Sequence, residues 1–212
     1  MLPLKDRRAR LRDAHLYLVT EPAGEELLTA ALTGGVDILQ LRDKGASDEQ
    51  ILAAAPLFRS LCDRFGALFV VNDRPDLARA AGADGVHVGQ EDTPPGEAGG
   101  DLLVGLSTHS PEQFDSGLRS AADYLCAGPV HETPTKEGRP ATGLALVRHA
   151  ASRAPRKPWF AIGGIDTSNV AEVVAAGAER VVVVRAIRDA DDPRAAAAAL
   201  RSATTGEARV GA

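Results

Sequence analysis

The sequence contains only two cysteines, Cys62 and Cys126, among its 212 residues. Neither has a second cysteine or a histidine at the spacing of a metal or dithiol site, so a zinc site, a redox centre and a disulfide framework have no support. Cys62 lies in a helical pattern and Cys126 in an apolar run. We interpret both as buried free thiols of a protein in the reducing cytoplasm.

Long apolar runs and basic clusters are absent as well. No run approaches the ~20 apolar residues of a membrane span, and the first eight residues become charged before an apolar signal segment develops. The sequence has 24 Lys and Arg residues and 29 Asp and Glu residues, which gives a net charge of −5. No basic run is interleaved with aromatic residues. We therefore expect a soluble cytoplasmic protein without membrane or nucleic-acid partners.

Several common catalytic motifs are missing. The sequence lacks both Gly-x-Gly-x-x-Gly after its first strand pattern and Gly-x-Ser-x-Gly, so dinucleotide binding and serine hydrolysis have little support. No two of the five histidines have the i, i+4 spacing of a zinc site. The commoner interpretation of His87 and His109 is that of hydrogen-bonded interior residues.

Apolar, β-branched runs alternate with alanine- and leucine-rich helical patterns, which indicates repeated βα units and a parallel sheet. The predicted strands are residues 15–20, 37–42, 68–72, 85–89, 102–107, 124–127, 159–163 and 180–185. The predicted helices are residues 25–33, 48–65, 75–81, 95–98, 111–121, 144–153, 168–176 and 192–202. Eight units in ~200 residues predict one α/β domain over residues 1–212, a single (β/α)8 TIM barrel. Residues 1–13 and 204–212 are predicted to be peripheral or frayed.

The active site of such a barrel lies where the strands end. Alternation after the second strand places Gln40, Arg42 and Lys44 on one face and Leu41 and Asp43 on the other.

Two carboxylates, Asp73 and Asp92, follow the third and fourth strands and predict a Mg²⁺ site beside these cations. Turn and capping roles for both aspartates remain open at this point.

A second polar group follows later strands. The loop at residues 130–139 holds two threonine hydroxyls and Lys136, and Ser107 ends the fifth strand. Gly163-Gly164 and Val184-Arg185 end strands seven and eight, where barrels commonly bind phosphate through backbone N–H groups. The glycines and the backbone at the ends of strands seven and eight predict a second anion site, although an ordinary Thr-Pro-Thr turn and a tight glycine turn would explain the same sequence.

Six short motifs follow one another along the sequence, and their order and spacing together are informative. They are Gln40-Leu41-Arg42-Asp43-Lys44, Asn72-Asp73-Arg74, His87-Val88-Gly89-Gln90-Glu91-Asp92, Gly105-Leu106-Ser107, Thr133-Pro134-Thr135-Lys136 and Ile162-Gly163-Gly164-Ile165. With them the sequence resembles the thiamine phosphate synthase family over roughly residues 15–203. The resemblance implies a Mg²⁺-dependent transferase on a barrel of this type. It joins 4-amino-2-methyl-5-hydroxymethylpyrimidine diphosphate to 4-methyl-5-(2-phosphoethyl)thiazole through a pyrimidine cation and releases pyrophosphate.

The resemblance also implies residue roles. The pyrimidine diphosphate is bound by Gln40, Leu41, Arg42, Asp43, Lys44, Asn72, Ser107 and Lys136. Of these, the resemblance makes Arg42, Lys44, Ser107 and Lys136 catalytic. The thiazole phosphate is bound by Thr133, Pro134, Thr135, Gly164, Val184 and Arg185. Mg²⁺ is bound by Asp73 and Asp92. Many members have an aromatic-Pro pair at His131-Glu132 and a serine at Arg185, so these positions depart from the family pattern.

Three other functions stay open. A thiazole tautomerase of the same superfamily would not need the cations and carboxylates of a diphosphate site. An aldolase-type barrel would form a Schiff base at Lys44 or Lys136, but neither site is apolar enough to depress a lysine pKa. A non-catalytic barrel that senses a phosphorylated ligand would not depend on Mg²⁺. The oligomeric state is open and a homo-oligomer is compatible with the sequence, while residues 129–143 are the candidate lid.

Overall fold

The computed structural model describes residues 2–132 and 141–206. Eight parallel strands form a closed barrel in which each strand pairs with the next and β8 pairs with β1. The strands are β1 Leu16–Thr20, β2 Ile38–Leu41, β3 Leu68–Asn72, β4 Gly85–Val88, β5 Leu103–Thr108, β6 Tyr124–Ala127, β7 Trp159–Ile162 and β8 Val181–Val183. The predicted barrel and all eight predicted strands are confirmed.

Ten helices accompany the strands in the described residues. They are α1 Leu4–Asp13, α2 Glu25–Thr33, α3 Asp48–Phe65, α4 Pro75–Ala80, α5 Pro95–Ala98, α6 Pro111–Arg119, α7 Gly143–Ser152, α8 Val170–Ala175, α9 Arg185–Arg188 and α10 Pro193–Thr205. Ser47, Ser110 and Asp192 accept N-cap hydrogen bonds at the starts of α3, α6 and α10, so local sequence signals set these boundaries. No helix in the described part of the chain is long and apolar enough to cross a bilayer.

The alternation of side chains along each strand produces two separate cores. In β1, Leu16 and Leu18 pack outward against the helices, whereas Tyr17 and Val19 point into the barrel. Phe160 of β7 also lies in the interior cluster. The interior cluster therefore forms a floor beneath the carboxyl ends of the strands.

Residues 1–13, predicted to be peripheral or frayed, contain the ordered helix α1, which lies outside the strand and helix repeats of the barrel. Leu11 packs into the interior cluster, and Arg7 is only 3% exposed. The Arg7 guanidinium donates to the carbonyl oxygens of Asp84 and Asp101, at 2.7 Å each. Both carbonyls lie just before strands β4 and β5, so α1 closes the amino-terminal end of the barrel.

The carboxyl-terminal part of the chain differs from the prediction in two smaller ways, at helix α10 and at the end of strand β8. The helix α10 continues to Thr205 and buries Thr204, two residues of the segment 204–212 that was predicted to be peripheral or frayed, while residues 207–212 lie outside the described part. Strand β8 ends at Val183 rather than at Arg185, where the unpredicted helix α9 begins. A continuous apolar run does not mark the residue at which a strand gives way to a helix.

Candidate active site

A cavity of about 320 Å³ opens at the carboxyl end of the barrel, and residues from all eight strands contribute to its lining. The structure brings seven of the predicted diphosphate and metal residues into its wall. They are Gln40, Arg42, Lys44, Asn72, Asp73, Asp92 and Ser107. Because they follow four different strands, only closure of the barrel makes them neighbours. The cavity therefore combines two amides, two cations, two carboxylates and a hydroxyl on one polar surface.

Two predicted residues have their side chains elsewhere. Leu41 is 1% exposed and packs in the outer core between barrel and helices. The Asp43 carboxylate accepts a hydrogen bond from the Gly45 amide at 2.8 Å and thereby shapes the turn after β2. The structure does not bring these two side chains into the cavity, because strand alternation points them away from Gln40 and Arg42.

The two aspartates form a facing pair. The Asp73 amide donates to the His87 carbonyl at 2.8 Å, and Asp73 has a φ of +62°, a left-handed conformation that costs free energy in a residue other than glycine. The Asp92 carboxylate is fixed by the Gly89 amide at 2.7 Å. Burial raises the pKa of Asp73, and the charge of Asp92 and a hydrogen bond with it raise the pKa further, against Lys44 and Arg42.

This pair fits a divalent cation with oxygen ligands. Two carboxylates that repel one another would be relieved by an ion between them. Within the described residues, no group of three or more Asp, Glu, His or Cys side chains could hold a metal. An ion bound by Asp73 and Asp92 would therefore need further oxygen ligands from water or substrate, as Mg²⁺ usually does.

Interior residues that the sequence did not assign also reach the cavity. Tyr17, His87 and Gln90 line it, and His87 Nε2 lies 2.9 Å from Ser107 Oγ. The Gln90 amide donates to the Ser107 carbonyl at 2.6 Å. His87 is hydrogen-bonded and only 6% exposed, which confirms its interpretation as an interior histidine. The alternation of β1, which puts Tyr17 on the interior face, was the sequence signal for this tyrosine.

A second cavity of about 380 Å³ adjoins the first. Gly164, Val184 and Arg185 line it, as does Gly163. The two cavities share three apolar side chains as a common wall. These are Ile162, Val182 and Val184. The predicted residues Thr133, Pro134, Thr135 and Lys136 lie outside the described residues.

Glycine is required in the turn after β7 for structural reasons. Gly163 and Gly164 have φ values of +108° and +63°. A Cβ on Gly163 would lie 2.5 Å from the Pro129 ring, and one on Gly164 would lie 2.7 Å from the His131 Cβ. The tight-turn interpretation therefore holds, and the same turn leaves its backbone exposed to the second cavity.

Fold and site together define a TIM-barrel enzyme with two adjoining cavities, one of them carrying cations beside a carboxylate pair. The family model described as thiamine monophosphate synthase matches residues 16–187. A thiamine-phosphate synthase of Saccharopolyspora erythraea is 54% identical over 211 residues, which covers 92% of this chain and 95% of the relative. One of Mycobacterium tuberculosis is 51% identical over 216 residues, covering 93% and 97%.

Among solved structures, thiamine phosphate pyrophosphorylase from Pyrococcus furiosus superposes with a TM-score of 0.83 at 33% identity, covering 94% of this chain and 98% of that one. The chain belongs to the thiamine monophosphate synthase family. It is a transferase, and the synthesis of thiamine phosphate is its activity. The curated relatives bear the name of the synthase, which favours that activity over a tautomerase, an aldolase or a sensor.

Proposed function

We propose that the first cavity holds the pyrimidine diphosphate and the second cavity holds the thiazole phosphate, so that the two substrates meet at their common wall. The observation that carries this proposal is the adjacency of the cavities together with the gathering of Arg42, Lys44 and a carboxylate pair in only one of them. A diphosphate brings more negative charge than a monophosphate ester, so it belongs where the cations and a metal site are.

The diphosphate would be held by donors from four strands. Arg42 and Lys44 supply positive charge, and Asn72 and Ser107 supply neutral donors. Lys136, whose role the family resemblance implies, would add a third cation. Asp73 and Asp92 would hold Mg²⁺, which when bound would screen the charge of the diphosphate and of the departing pyrophosphate.

The bond changes require no side-chain nucleophile. The bond between the pyrimidine methylene carbon and the diphosphate oxygen breaks, and its electron pair leaves with pyrophosphate. The nitrogen lone pair of the thiazole then forms the new C–N bond to the methylene carbon, which leaves a positively charged thiazolium. Arg42 and Lys44 stabilise the charge that develops on the leaving group, and the removal of one such donor costs about 2.7–4 kcal/mol of barrier.

Two further features serve this chemistry. The apolar wall of Ile162, Val182 and Val184 keeps water away from the path between the two substrates. In the second cavity, the backbone at Gly164 and at Val184–Arg185, with Thr133 and Thr135, would hold the thiazole phosphate. The reaction would run in the cytoplasm, where Cys62 and Cys126, both buried free thiols, stay reduced.

The test is formation of thiamine phosphate from both phosphorylated substrates, with Mg²⁺ and with a chelator, in the wild type and in Asp92→Asn. We expect product that requires the metal and a rate at least ~100-fold lower in the variant, about 2.7 kcal/mol of barrier. Asp43→Asn is the matched control, because it removes one charge from the loop after β2 without entering the cavity, and its rate should stay within twofold of the wild type. A folded wild type without product would refute the proposal.

A further inference from the structure

Five buried side chains form a continuous hydrogen-bonded chain across the barrel interior, directly beneath the first cavity. In order they are Gln40, Tyr17, Tyr124, His87 and Ser107. The Gln40 amide nitrogen donates to the Tyr17 hydroxyl, which lies 3.0 Å from the Tyr124 hydroxyl. The Tyr124 hydroxyl lies 3.3 Å from His87 Nδ1, and His87 Nε2 lies 2.9 Å from Ser107 Oγ.

The chain joins strands that are not neighbours in the barrel. Tyr17 belongs to β1 and Tyr124 to β6, so their contact crosses the interior. Its two ends are the amide of Gln40 and the hydroxyl of Ser107, both of which the family resemblance assigns to the binding of the pyrimidine diphosphate. The three middle residues, Tyr17, Tyr124 and His87, have no part in the proposed function so far.

The protons in this chain must be ordered. Burial raises the pKa of both Tyr17 and Tyr124, so each phenol keeps its proton and each has one hydrogen bond to donate. The Gln40 amide donates to Tyr17, and in the order that continues from it Tyr17 donates to Tyr124 and Tyr124 donates to His87 Nδ1. When His87 Nδ1 accepts, Nε2 carries the hydrogen and donates to the Ser107 oxygen, which lies 2.9 Å away.

This direction leaves the Ser107 proton for the cavity. Ser107 accepts from His87, so its own O–H can donate to an anion above it. In the opposite direction the Ser107 O–H would donate to His87, and Ser107 would present only lone pairs to the diphosphate. The order of donors therefore decides whether Ser107 attracts or repels a phosphate oxygen.

The surrounding packing is shaped around the chain. A Cβ on Gly105 of β5 would lie 2.1 Å from Tyr124 Cζ and 2.5 Å from His87 Nδ1, so glycine leaves the space in which these two meet. Phe160 packs edge-on against both tyrosines, with ring centroids 5.6 Å from Tyr17 and 5.8 Å from Tyr124. The phenols thus have little freedom to reorient.

We propose that Tyr17, Tyr124 and His87 are positioning residues, which through this chain hold the Ser107 hydroxyl as a donor toward the diphosphate of the pyrimidine substrate and fix the Gln40 amide at the other end. The inference rests on the proposed function for the identity of the substrate. It adds three residues that act on the substrate only through Gln40 and Ser107.

The test is a double-mutant cycle between Tyr124→Phe and Ser107→Ala. Tyr124→Phe removes one hydroxyl and keeps the ring, and we expect kcat/KM for the pyrimidine diphosphate to fall about 10-fold, with KM for the thiazole phosphate within twofold of the wild type. In Ser107→Ala, the second change should cause almost no further loss, because the chain acts through the serine. Losses that multiply in the double variant would overturn the proposal.

A structural control and a second break in the chain accompany the cycle. Phe58→Leu alters a fully buried aromatic side chain of the outer core, which takes no part in the chain, so it should lower the melting temperature but leave kcat/KM for each of the two substrates within twofold of the wild type. Tyr17→Phe breaks the same chain one residue away and should show the same lack of additivity with Ser107→Ala. If Tyr124→Phe does not fold, the Tyr17→Phe cycle decides.

Binding of inorganic pyrophosphate in the presence of Mg²⁺, measured by calorimetry, separates this inference from the proposed function. Binding needs no turnover. A wild type that binds pyrophosphate but makes no thiamine phosphate would refute the proposed function, while the double-mutant cycle could still be measured from the Kd values for pyrophosphate. We expect Kd to rise about 10-fold in Tyr124→Phe, whereas in the Ser107→Ala background the addition of Tyr124→Phe should raise Kd no further. An unchanged Kd in Tyr124→Phe, or no binding by the wild type, would overturn the inference.

Discussion

We predict that the substitution Asp92→Asn in the carboxylate pair has opposite effects on folding stability with and without Mg²⁺. Without Mg²⁺, Asp92→Asn removes the charge that helps raise the pKa of Asp73, and the introduced amide keeps an oxygen for the Gly89 N–H. The variant should then be more stable than the wild type by about 0.5–1 kcal/mol at neutral pH, the size of one partly exposed charge interaction. With Mg²⁺ the order should reverse.

The magnitude of the reversal follows from mass action. At a Mg²⁺ concentration 100 times its Kd, binding stabilises the wild type by about 2.7 kcal/mol. If the loss of one of the two carboxylate ligands weakens binding about 100-fold, the same concentration stabilises the variant by only ~0.4 kcal/mol. The difference of about 2.3 kcal/mol corresponds to roughly 5–9 °C in melting temperature for a domain of this size.

The sign of the pH dependence gives an additional check. The pKa of Asp73 is raised in the folded protein. The loss of folding stability that comes with ionisation of Asp73 is therefore absent below the ordinary aspartate pKa and develops as the pH rises through the folded value. The metal-free advantage of Asp92→Asn should therefore vanish in acid and be complete at neutral pH.

Thermal unfolding at several pH values, with Mg²⁺ and with a chelator, measures all three quantities, and Asp43→Asn controls for the loss of one negative charge nearby. A variant that Mg²⁺ stabilises as strongly as the wild type would refute the assignment of the metal to this pair. A metal-free variant less stable than the wild type at neutral pH would refute the repulsion between the two carboxylates.

Three other substitutions test the remaining placements. Arg185→Ala should raise KM for the thiazole phosphate far more than KM for the pyrimidine diphosphate, because Arg185 lines only the second of the two cavities, and equal changes in the two KM values would count against this. Leu41→Ala should lower the free energy of unfolding in urea by about 2–5 kcal/mol while both KM values stay within twofold, since its side chain lies in the outer core, and a selective rise in KM for the diphosphate would contradict that placement. Arg7→Met should cost about 1–3 kcal/mol by removing the buried guanidinium that donates to the carbonyls of Asp84 and Asp101, and unchanged stability would show that α1 does not close the barrel.

The sequence predicted the strands well because parallel barrel strands are buried on both faces and appear as apolar β-branched runs. It also placed Gln40, Arg42 and Lys44 on one face, since alternation along a strand is a local property. Helix α1 escaped prediction because it has few apolar residues. The partners of its buried Arg7 are backbone carbonyls 77 and 94 residues further along the chain. No local pattern encodes such partners.

The hydrogen-bonded chain beneath the cavity was beyond prediction for the same reason. Tyr17 and Tyr124 each resemble ordinary core aromatics in an apolar strand, and only barrel closure brings their hydroxyls to 3.0 Å. His87 was expected to be a hydrogen-bonded interior residue, but its two partners could not be named from sequence. What a strand pattern leaves open is which strand lies across the barrel, because this depends on the register of all eight strands.

The hydrogen-bonded chain beneath the first cavity suits the proposed reaction. A site that expels pyrophosphate must stabilise charge without reorganising, and donors fixed before the reaction achieve this at the least cost. In a buried chain of hydrogen bonds, rotation of any one member leaves a neighbour unsatisfied at about 1–3 kcal/mol, so the chain resists the relaxation that a solvated hydroxyl would undergo. The apolar wall of Ile162, Val182 and Val184 does the opposite on the other side, since it offers the methylene cation no lone pair before the thiazole nitrogen. In the proposed mechanism, the hydrogen-bonded chain beneath the first cavity and the apolar wall beside it would together direct the cation toward the second substrate and away from water.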